Sequence, residues 1–384
     1  MRRRRLWLGA ACCFVAGDAM ALQSRGALLS SFEGTFGVSE SLLGLVAPAG
    51  TVGFVVAILA VGMLAGRLDV RHVLVFGAVA MAISLFAISV APAYSLFLFA
   101  LLVQGSAAGV FRAMDRPLLS HLYPDRRGRI FVLYALAWAV GAVVGPVLAS
   151  AVLLVADWRA VYVILAVSIV PVVVLVLSLE VPSWNEQPLE RDAIGPLLSS
   201  SGVRTTLLAL ALAGGIEGTV FTWLPYYAGT FLDRTTANLA LSAFLLAYIP
   251  GRYAYAKLVD SISYLRLSLV TTGLSIPAFA IALGWPSVGM LVAVFCAGAF
   301  ISSLFPLLSA YGVDIVPEYS GPMSALTTGA TYAGTAFVPV VVGIAAELTS
   351  IRIAMWIPIG LTVVLFGLIW SMPARAEVSE AGTA

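Results

Sequence analysis

Several ionisable side chains lie inside long apolar segments, where a charge costs several kcal/mol unless it has a role or a partner, and four of them are considered first. Arg112 and Asp115 are three residues apart, so a helix places both on one face. A carboxylate beside an arginine can change its proton affinity when the arginine changes partner. Asp18 and Glu217 lie about 20 Å into their own segments, at about 1.5 Å rise per residue. All four are candidates for proton coupling or for binding a charged solute.

Other polar side chains in these segments extend the candidate set. Gln23 and Arg25 follow within two helical turns of Asp18, and snorkelling to the outer surface is the alternative for Arg25. Pairing within one helix is the structural alternative for Arg112 and Asp115. The expected substrate-binding or ion-coupling residues are Asp18, Gln23, Arg25, Arg112, Asp115, Glu217, Arg252 and Tyr332.

The sequence shows no constellation of catalytic residues. It has no phosphate-binding glycine loop, no Ser–His–Asp set and no metal-ligand spacing. The three cysteines, Cys12, Cys13 and Cys296, all lie in apolar runs and indicate no disulfide framework. We therefore predict a protein that is not an enzyme and has no cofactor or metal.

Composition places the chain in a membrane. Of its 384 residues, 61% are apolar and only 10% are charged, and its mean hydropathy is +1.02. Soluble proteins carry roughly 25% charged residues. Backbone groups in lipid must be paired within the protein, so we predict an all-α polytopic membrane protein. The lipid bilayer is the expected partner and nucleic acid is not, because the basic residues lie at span ends rather than in one patch.

Twelve apolar segments are each near the length of about 20 residues that crosses a bilayer. We expect them at about residues 6–31, 41–66, 72–91, 94–121, 129–155, 160–180, 204–231, 237–258, 265–284, 286–314, 321–347 and 352–372. Most of the 21 lysines and arginines then fall on the side of the amino terminus. The positive-inside rule accordingly predicts that both termini are cytoplasmic.

An internal repeat relates the two halves of the chain. Six identical residues recur at one offset, namely Gly105 with Gly298, Pro124 with Pro317, Gly128 with Gly321, Gly141 with Gly334, Pro146 with Pro339, and Arg159 with Arg352. The membrane charges of the first copy are not repeated, because Phe305 and Leu308 stand at the positions equivalent to Arg112 and Asp115. We predict a six-helix bundle at 1–180, a cytoplasmic linker at 181–203, a second six-helix bundle at 204–373 and a disordered tail at 374–384.

Several motifs resemble those of the major facilitator superfamily (MFS). The run from Gly62 to Arg71 resembles the family's loop between spans 2 and 3, although Gly66 replaces its acid and Asp69 its second glycine. Gln104-Gly105 resembles the span 4 motif, and Gly141-x3-Gly145-Pro146 the span 5 motif often associated with antiporters. The resemblance implies two pseudo-symmetric bundles and loops that gate them. The expected gating residues are Arg67, Asp69, Arg71 and Asp260.

Shorter resemblances point to branches of the family. Gly215-Ile-Glu217, Trp223-Leu-Pro225 and Pro250-Gly251-Arg252 follow an order similar to the fucose/glucose–proton symporters. Ser24-Arg25 resembles, without its acid, a pair found in organic-anion and spinster-type members. These similarities imply a sugar-like solute first and an organic anion second.

Together these features predict a secondary active transporter in the plasma membrane. It would move a small polar organic solute by alternating access, coupled to H⁺ or, as the alternative ion, Na⁺. We expect a monomer in which Asp18, Arg112 and Glu217 face one central cavity. A drug-type proton antiporter is one alternative function, and a non-transporting receptor or scaffold with the same fold is another.

Overall fold

The computed structural model describes residues 2–64, 68–179, 194–259, 261–316 and 319–372, and every regular element among them is a helix. Helices are expected here because lipid offers backbone groups no partner. The chain divides into two compact units, Met1–Pro188 and Leu189–Ala384. The predicted tail at 374–384 lies outside the described residues.

The first unit contains the helices α1 to α8. They are α1 Arg2–Ala27, α2 Leu29–Phe36, α3 Glu40–Leu43, α4 Val46–Leu64, α5 Val70–Ser89, α6 Tyr94–Leu122, α7 Arg127–Leu153 and α8 Arg159–Ser178. A single 3-10 turn, Pro124–Arg126, joins α6 to α7. Within this unit α1 packs on α7 and α8, α4 packs on α6, and α5 packs on α6 and α8.

The second unit contains the helices α9 to α18. They are α9 Ile194–Ser199, α10 Ser201–Ala228, α11 Arg234–Leu246, α12 Tyr248–Leu258, α13 Tyr264–Gly284, α14 Met290–Ile301, α15 Leu304–Ile315, α16 Ser320–Leu348, α17 Ile351–Ala354 and α18 Ile357–Trp370. Its packing follows the order of the first unit: α10 packs on α16 and α18, α11 on α14, and α13 on α14 and α18.

Eleven helical segments in the described ranges are long and apolar enough to cross a membrane. The region expected as span 8, 237–258, consists of α11 followed directly by α12. Backbone hydrogen bonds of Ala247 and Gly251 continue the α-helical pattern through the junction, but Pro250 has no N–H to donate. The helix is therefore interrupted at a proline without being unwound.

Part of the range expected as the cytoplasmic linker is helical. Helix α9 occupies part of the range 181–203, and α10 begins at Ser201 rather than at residue 204. Ser200 has the extended backbone of an N-cap residue, so the helix begins directly after it.

The repeated glycines make equivalent helix contacts in each unit. A Cβ on Gly105 would lie 1.8 Å from the carbonyl oxygen of Gly50 in α4, and one on Gly298 would lie 2.3 Å from that of Phe244 in α11. The pair Gly141 and Gly334 does the same, against α1 and α10 respectively. Small residues allow this approach where lipid supplies no hydrophobic drive between helices. The repeated glycines therefore lie at equivalent helix crossings in the two units.

We expect Gly105→Ala to lower the free energy of unfolding by about 1–3 kcal/mol, because the added methyl group meets backbone that cannot yield. Gly62→Ala in α4 is the matched control, since nothing lies within 4 Å of its Cβ position. Titration with sodium dodecyl sulfate measures both variants. Equal stability of the two variants would show that Gly105 does not lie at a close crossing of α4 and α6.

Candidate functional site

A buried ion pair joins α1 to α6 in the first unit. Arg112 Nη1 lies 3.2 Å from Asp18 Oδ2, and the two side chains are 12% and 7% exposed. The Arg112 guanidinium also lies 5.2 Å from the ring centroid of Phe54, a cation–π distance. Beside the pair, Phe14 and Phe111 stack with ring centroids 3.7 Å apart. The pair therefore lies among aromatic side chains.

A second polar bridge between the same helices lies about two turns away. Arg25 Nη2 donates to Gln104 Oε1, and Gln104 Nε2 contacts Met81 Sδ at 3.3 Å. Asp18 and Arg25 are seven residues apart on α1, while Arg112 and Gln104 are eight apart on α6, in the opposite chain direction. The two polar bridges therefore connect α1 and α6 at two successive depths. Arg25 therefore binds an amide rather than snorkelling outward.

A glycine in α4 makes room for the Arg25 side chain that binds Gln104. A Cβ on Gly50 would lie 2.2 Å from Arg25 Nη1, so the guanidinium occupies the space where a side chain would be. Gln23, two residues earlier on α1, is fully buried, and neither polar atom of its side chain has a hydrogen-bond partner among the described residues.

Asp115 binds a tyrosine rather than the arginine of its own helix. Its side chain is buried, and Oδ2 accepts a hydrogen bond of 2.5 Å from Tyr134 Oη on α7. Its Oδ1 has no hydrogen-bond partner in the part of the chain that the structure describes. Arg116 lies 5.4 Å from the Tyr134 ring centroid. The arginine three residues earlier is instead paired with Asp18.

The second unit holds a carboxyl group with a similar arrangement. Tyr248 Oη donates a hydrogen bond of 2.6 Å to Glu217 Oε1, and the Arg252 guanidinium lies 5.0 Å from the Tyr248 ring centroid. Arg252 Nε also donates to the carbonyl oxygen of Ser302 at 3.3 Å. That carbonyl is available because Pro306, four residues later, has no N–H. Arg252 therefore stabilises the junction of α14 and α15.

The remaining predicted residues have diverse positions. Tyr332 is half-buried on α16. Arg71 Nη2 donates to the carbonyl oxygen of Leu177 at 3.0 Å, which ties the start of α5 to the end of α8. Arg67 and Asp260 lie outside the described residues. Within the described ranges, no three His, Cys, Asp or Glu side chains are grouped as a metal site. The expectation that Asp18, Arg112 and Glu217 share a cavity stays a prediction.

Asp69, expected in a gating loop, is the N-cap of α5. Its Oδ1 accepts from the backbone N–H of His72 at 3.1 Å. This hydrogen bond holds the pKa of the Asp69 carboxyl below its usual range. The stabilisation is present above the ordinary carboxyl pKa and is lost as the pH falls through the lowered value.

We therefore expect Asp69→Ala to lower the apparent melting temperature at neutral pH, and the deficit to shrink as the pH falls below about 4. Ser263→Ala is the matched control, because Ser263 is the N-cap residue of α13 but makes no side-chain capping bond. Thermal melts of the purified protein across this pH range measure the effect. If the loss in melting temperature is independent of pH, the Asp69 carboxylate does not stabilise α5 as its N-cap.

Sequence reasoning missed the residues that bind the charged groups: Gln104 as a partner of Arg25, and the two tyrosines Tyr134 and Tyr248. The available signal was weak. Tyrosines in apolar segments are common at membrane interfaces, and only the helix rotations show which of them face a carboxylate.

The family model described as Major Facilitator Superfamily matches residues 6–233 and 206–383. A protein described as an uncharacterized MFS-type transporter, YceJ of Bacillus subtilis, is 25% identical over 98% of this chain and 97% of its own. The TsgA homolog of Erwinia tasmaniensis is 24% identical, and the match spans about half of each protein, 54% of either chain.

Solved structures of similar fold cover nearly the whole chain. A variant of the nucleoside transporter NupG has a TM-score of 0.84 at 14% identity, covering 96% of this chain and 100% of its own. A bacterial homolog of the human lysosomal transporter Spinster, in an inward-facing conformation, has a TM-score of 0.82 at 13% identity, covering 96% of both chains. At this identity the likeness concerns the fold.

Proposed function

Because the chain belongs to the major facilitator superfamily, a family of transporters and not of enzymes, we propose that it is a secondary active transporter coupled to protons. It moves a small polar organic solute across the cell membrane by alternating access. It works as a monomer with both termini in the cytoplasm.

The observation that carries this proposal is the buried pair of Asp18 and Arg112. Replacing a buried ion pair by apolar side chains is often neutral or stabilising, so the pair is weak evidence for a role in stability. Ionisable side chains within membrane helices mark solute or ion pathways instead. This reasoning disfavours the alternative of a non-transporting receptor or scaffold.

Proton coupling is supported by the two carboxyl groups that bind tyrosine. Asp115 and Glu217 each accept a short hydrogen bond from a tyrosine hydroxyl. Such a carboxyl group can gain or lose a proton without breaking a direct ion pair, because its partner is neutral. We assign these two groups as proton carriers, and Asp18 as the ion-pair partner of Arg112. Na⁺ remains the alternative coupling ion.

The proposed solute is sugar-like first and an organic anion second. Tyr248 donates a hydrogen bond to Glu217, and the Arg252 guanidinium lies beside the Tyr248 ring. The sequence around these residues resembles the sugar–proton symporters. The nucleoside transporter of similar fold takes a solute that contains a sugar, which agrees with this order. A drug-type proton antiporter is the second candidate, because Gly141 and Gly145 of the antiporter-associated motif both approach the backbone of α1 closely.

Uptake by proteoliposomes with an imposed pH gradient tests the proposal. We expect a panel of sugars, nucleosides and small carboxylates to contain a solute that accumulates only with the gradient. Asp115→Asn should abolish this accumulation, whereas Arg159→Gln, at an exposed ion pair with Asp157, should not. Absence of gradient-dependent flux across the panel, with Asp115→Asn unchanged from the wild type, would refute the proposal.

A further inference from the structure

We propose that Arg25 and Tyr162 form a buried binding site for a monovalent anion inside the first unit. The anion is either the carboxylate of a transported solute or a small inorganic ion such as chloride. Only the first source rests on the proposed function. The site consists of two donors on α1 and α8 that have no acceptor among the described residues, and one of them is positively charged.

Arg25 is a buried cation that forms no ion pair with an acid among the described residues. The residue is 6% exposed, and its hydrogen bond goes to the neutral amide oxygen of Gln104. The nearest acid on its own helix face is Asp18, seven residues away, and that carboxylate binds Arg112. Removing one partner from a buried ion pair is strongly destabilising, because the other charge is left uncompensated. A bound anion would supply the missing charge.

The guanidinium also retains an unused donor. Arg25 Nε is buried and has no hydrogen-bond partner among the residues that the structure describes. A buried donor without a partner costs its full desolvation energy. If Arg25 served only to connect α1 with α6, its one bond to Gln104 would suffice and this N–H would gain nothing from burial.

Tyr162 supplies the second donor from another helix. Its side chain is fully buried on α8, and its hydroxyl has no hydrogen-bond partner within the described ranges. Helix α8 packs on α1, the helix that carries Arg25. One anion could accept from both the Tyr162 hydroxyl and the Arg25 Nε–H, which have no acceptor among the described residues.

The neighbouring backbone keeps the guanidinium in place. Gly50 leaves the space that Arg25 Nη1 fills, since a Cβ there would lie 2.2 Å from that nitrogen. Gly105 brings α6 against the same point, with its Cβ position 1.8 Å from the Gly50 oxygen. The charged group is thus preorganised, which lowers the entropic cost of binding.

Anion-dependent stability of the purified full-length protein tests the site without knowledge of the solute. The apparent melting temperature is measured in sodium chloride, sodium acetate and sodium sulfate at equal ionic strength. We expect chloride, acetate or both to stabilise the wild type more than they stabilise Arg25→Met. The difference between the two proteins removes general salt effects.

Tyr162→Phe keeps the charge and the fold but removes one donor. We expect it to need about ten-fold more anion for half-maximal stabilisation. Arg159→Gln, which lies outside the site, should respond as the wild type does. If Arg25→Met does not fold, the comparison with Tyr162→Phe remains decisive.

Stabilisation by acetate alone supports a solute carboxylate, and stabilisation by chloride supports a free ion. Identical responses of the wild type, Arg25→Met and Tyr162→Phe to every anion would overturn the proposal. Flux in proteoliposomes is a separate readout. Anion-dependent stability without gradient-driven flux would retain this site and refute the proposed function, and the reverse would refute the site alone.

Discussion

Arg112→Gln is expected to lower the free energy of unfolding by about 3–5 kcal/mol. The substitution leaves Asp18 as an unpaired carboxylate at 7% exposure, among aromatic side chains. At this exposure little water reaches the carboxylate, so its charge is left largely uncompensated. This loss of stability comes from the unpaired charge that remains. It does not measure the net contribution of the intact pair to stability.

A double-mutant cycle separates these two quantities. Asp18→Asn alone should be destabilising for the reciprocal reason, whereas Asp18→Asn combined with Arg112→Gln should recover most of the loss, because neither charge remains. Unfolding in sodium dodecyl sulfate gives the three values. The double variant should nevertheless fail in solute transport, since the proposed role of the pair is functional.

The ion pair of Arg159 and Asp157, which is more exposed than that of Arg112 and Asp18, is the control. Arg159 Nη1 lies 3.6 Å from Asp157 Oδ1, and these side chains are 35% and 59% exposed. The same substitution, Arg159→Gln, should cost no more than about 1 kcal/mol. If Arg112→Gln costs as little as the control, or if the double variant is as unstable as the sum of the singles, the buried pair does not behave as described.

Much of the fold was accessible from the sequence because it depends on local patterns. Apolar runs of about bilayer length predict helices, and the repeat of Gly105 and Gly141 at Gly298 and Gly334 predicts shared crossings, which the structure contains. The interruption at Ala247 was missed. It depends on Pro250, which the run of apolar residues around it concealed.

The partners in the site were less accessible, because they depend on how each helix is rotated. Depth along the helix marked Asp18 and Arg112 as candidates, and depth can be read from residue number. The rotation of each helix about its axis decides that Asp18 pairs with Arg112, 94 residues away, and that Asp115 binds Tyr134. The internal repeat did not help, because Phe305 and Leu308 stand at the positions equivalent to Arg112 and Asp115.

The second carboxylate–tyrosine contact is therefore not a repeat of the first. Asp115 belongs to α6 and its tyrosine to α7, whereas Glu217 belongs to α10 and its tyrosine to α12. What recurs is a carboxyl group, a tyrosine hydroxyl and an arginine beside the tyrosine ring. The two units thus reach similar chemistry through different helices, which agrees with a functional demand on both.

Glu217→Gln is expected to abolish accumulation of solute driven by a pH gradient while leaving exchange of solute across the membrane intact. The amide keeps the size of the side chain and can still accept from Tyr248 Oη, so local packing is preserved, but it cannot carry a proton. Proteoliposomes loaded with unlabelled solute measure exchange without a gradient, and the same vesicles with a gradient measure accumulation. The two rates should separate in this variant and not in the wild type.

Asp233→Asn is the control for the same chemical change in the same unit. Asp233 caps α11 through the backbone N–H of Thr236, at an exposed position away from Glu217, and its substitution should leave both rates unchanged. Tyr248→Phe should weaken accumulation without abolishing it, because the carboxyl group remains but loses its hydrogen bond. If Glu217→Gln accumulates solute as the wild type does, the proton is not carried at Glu217. If exchange is lost as well, Glu217 binds solute rather than the proton.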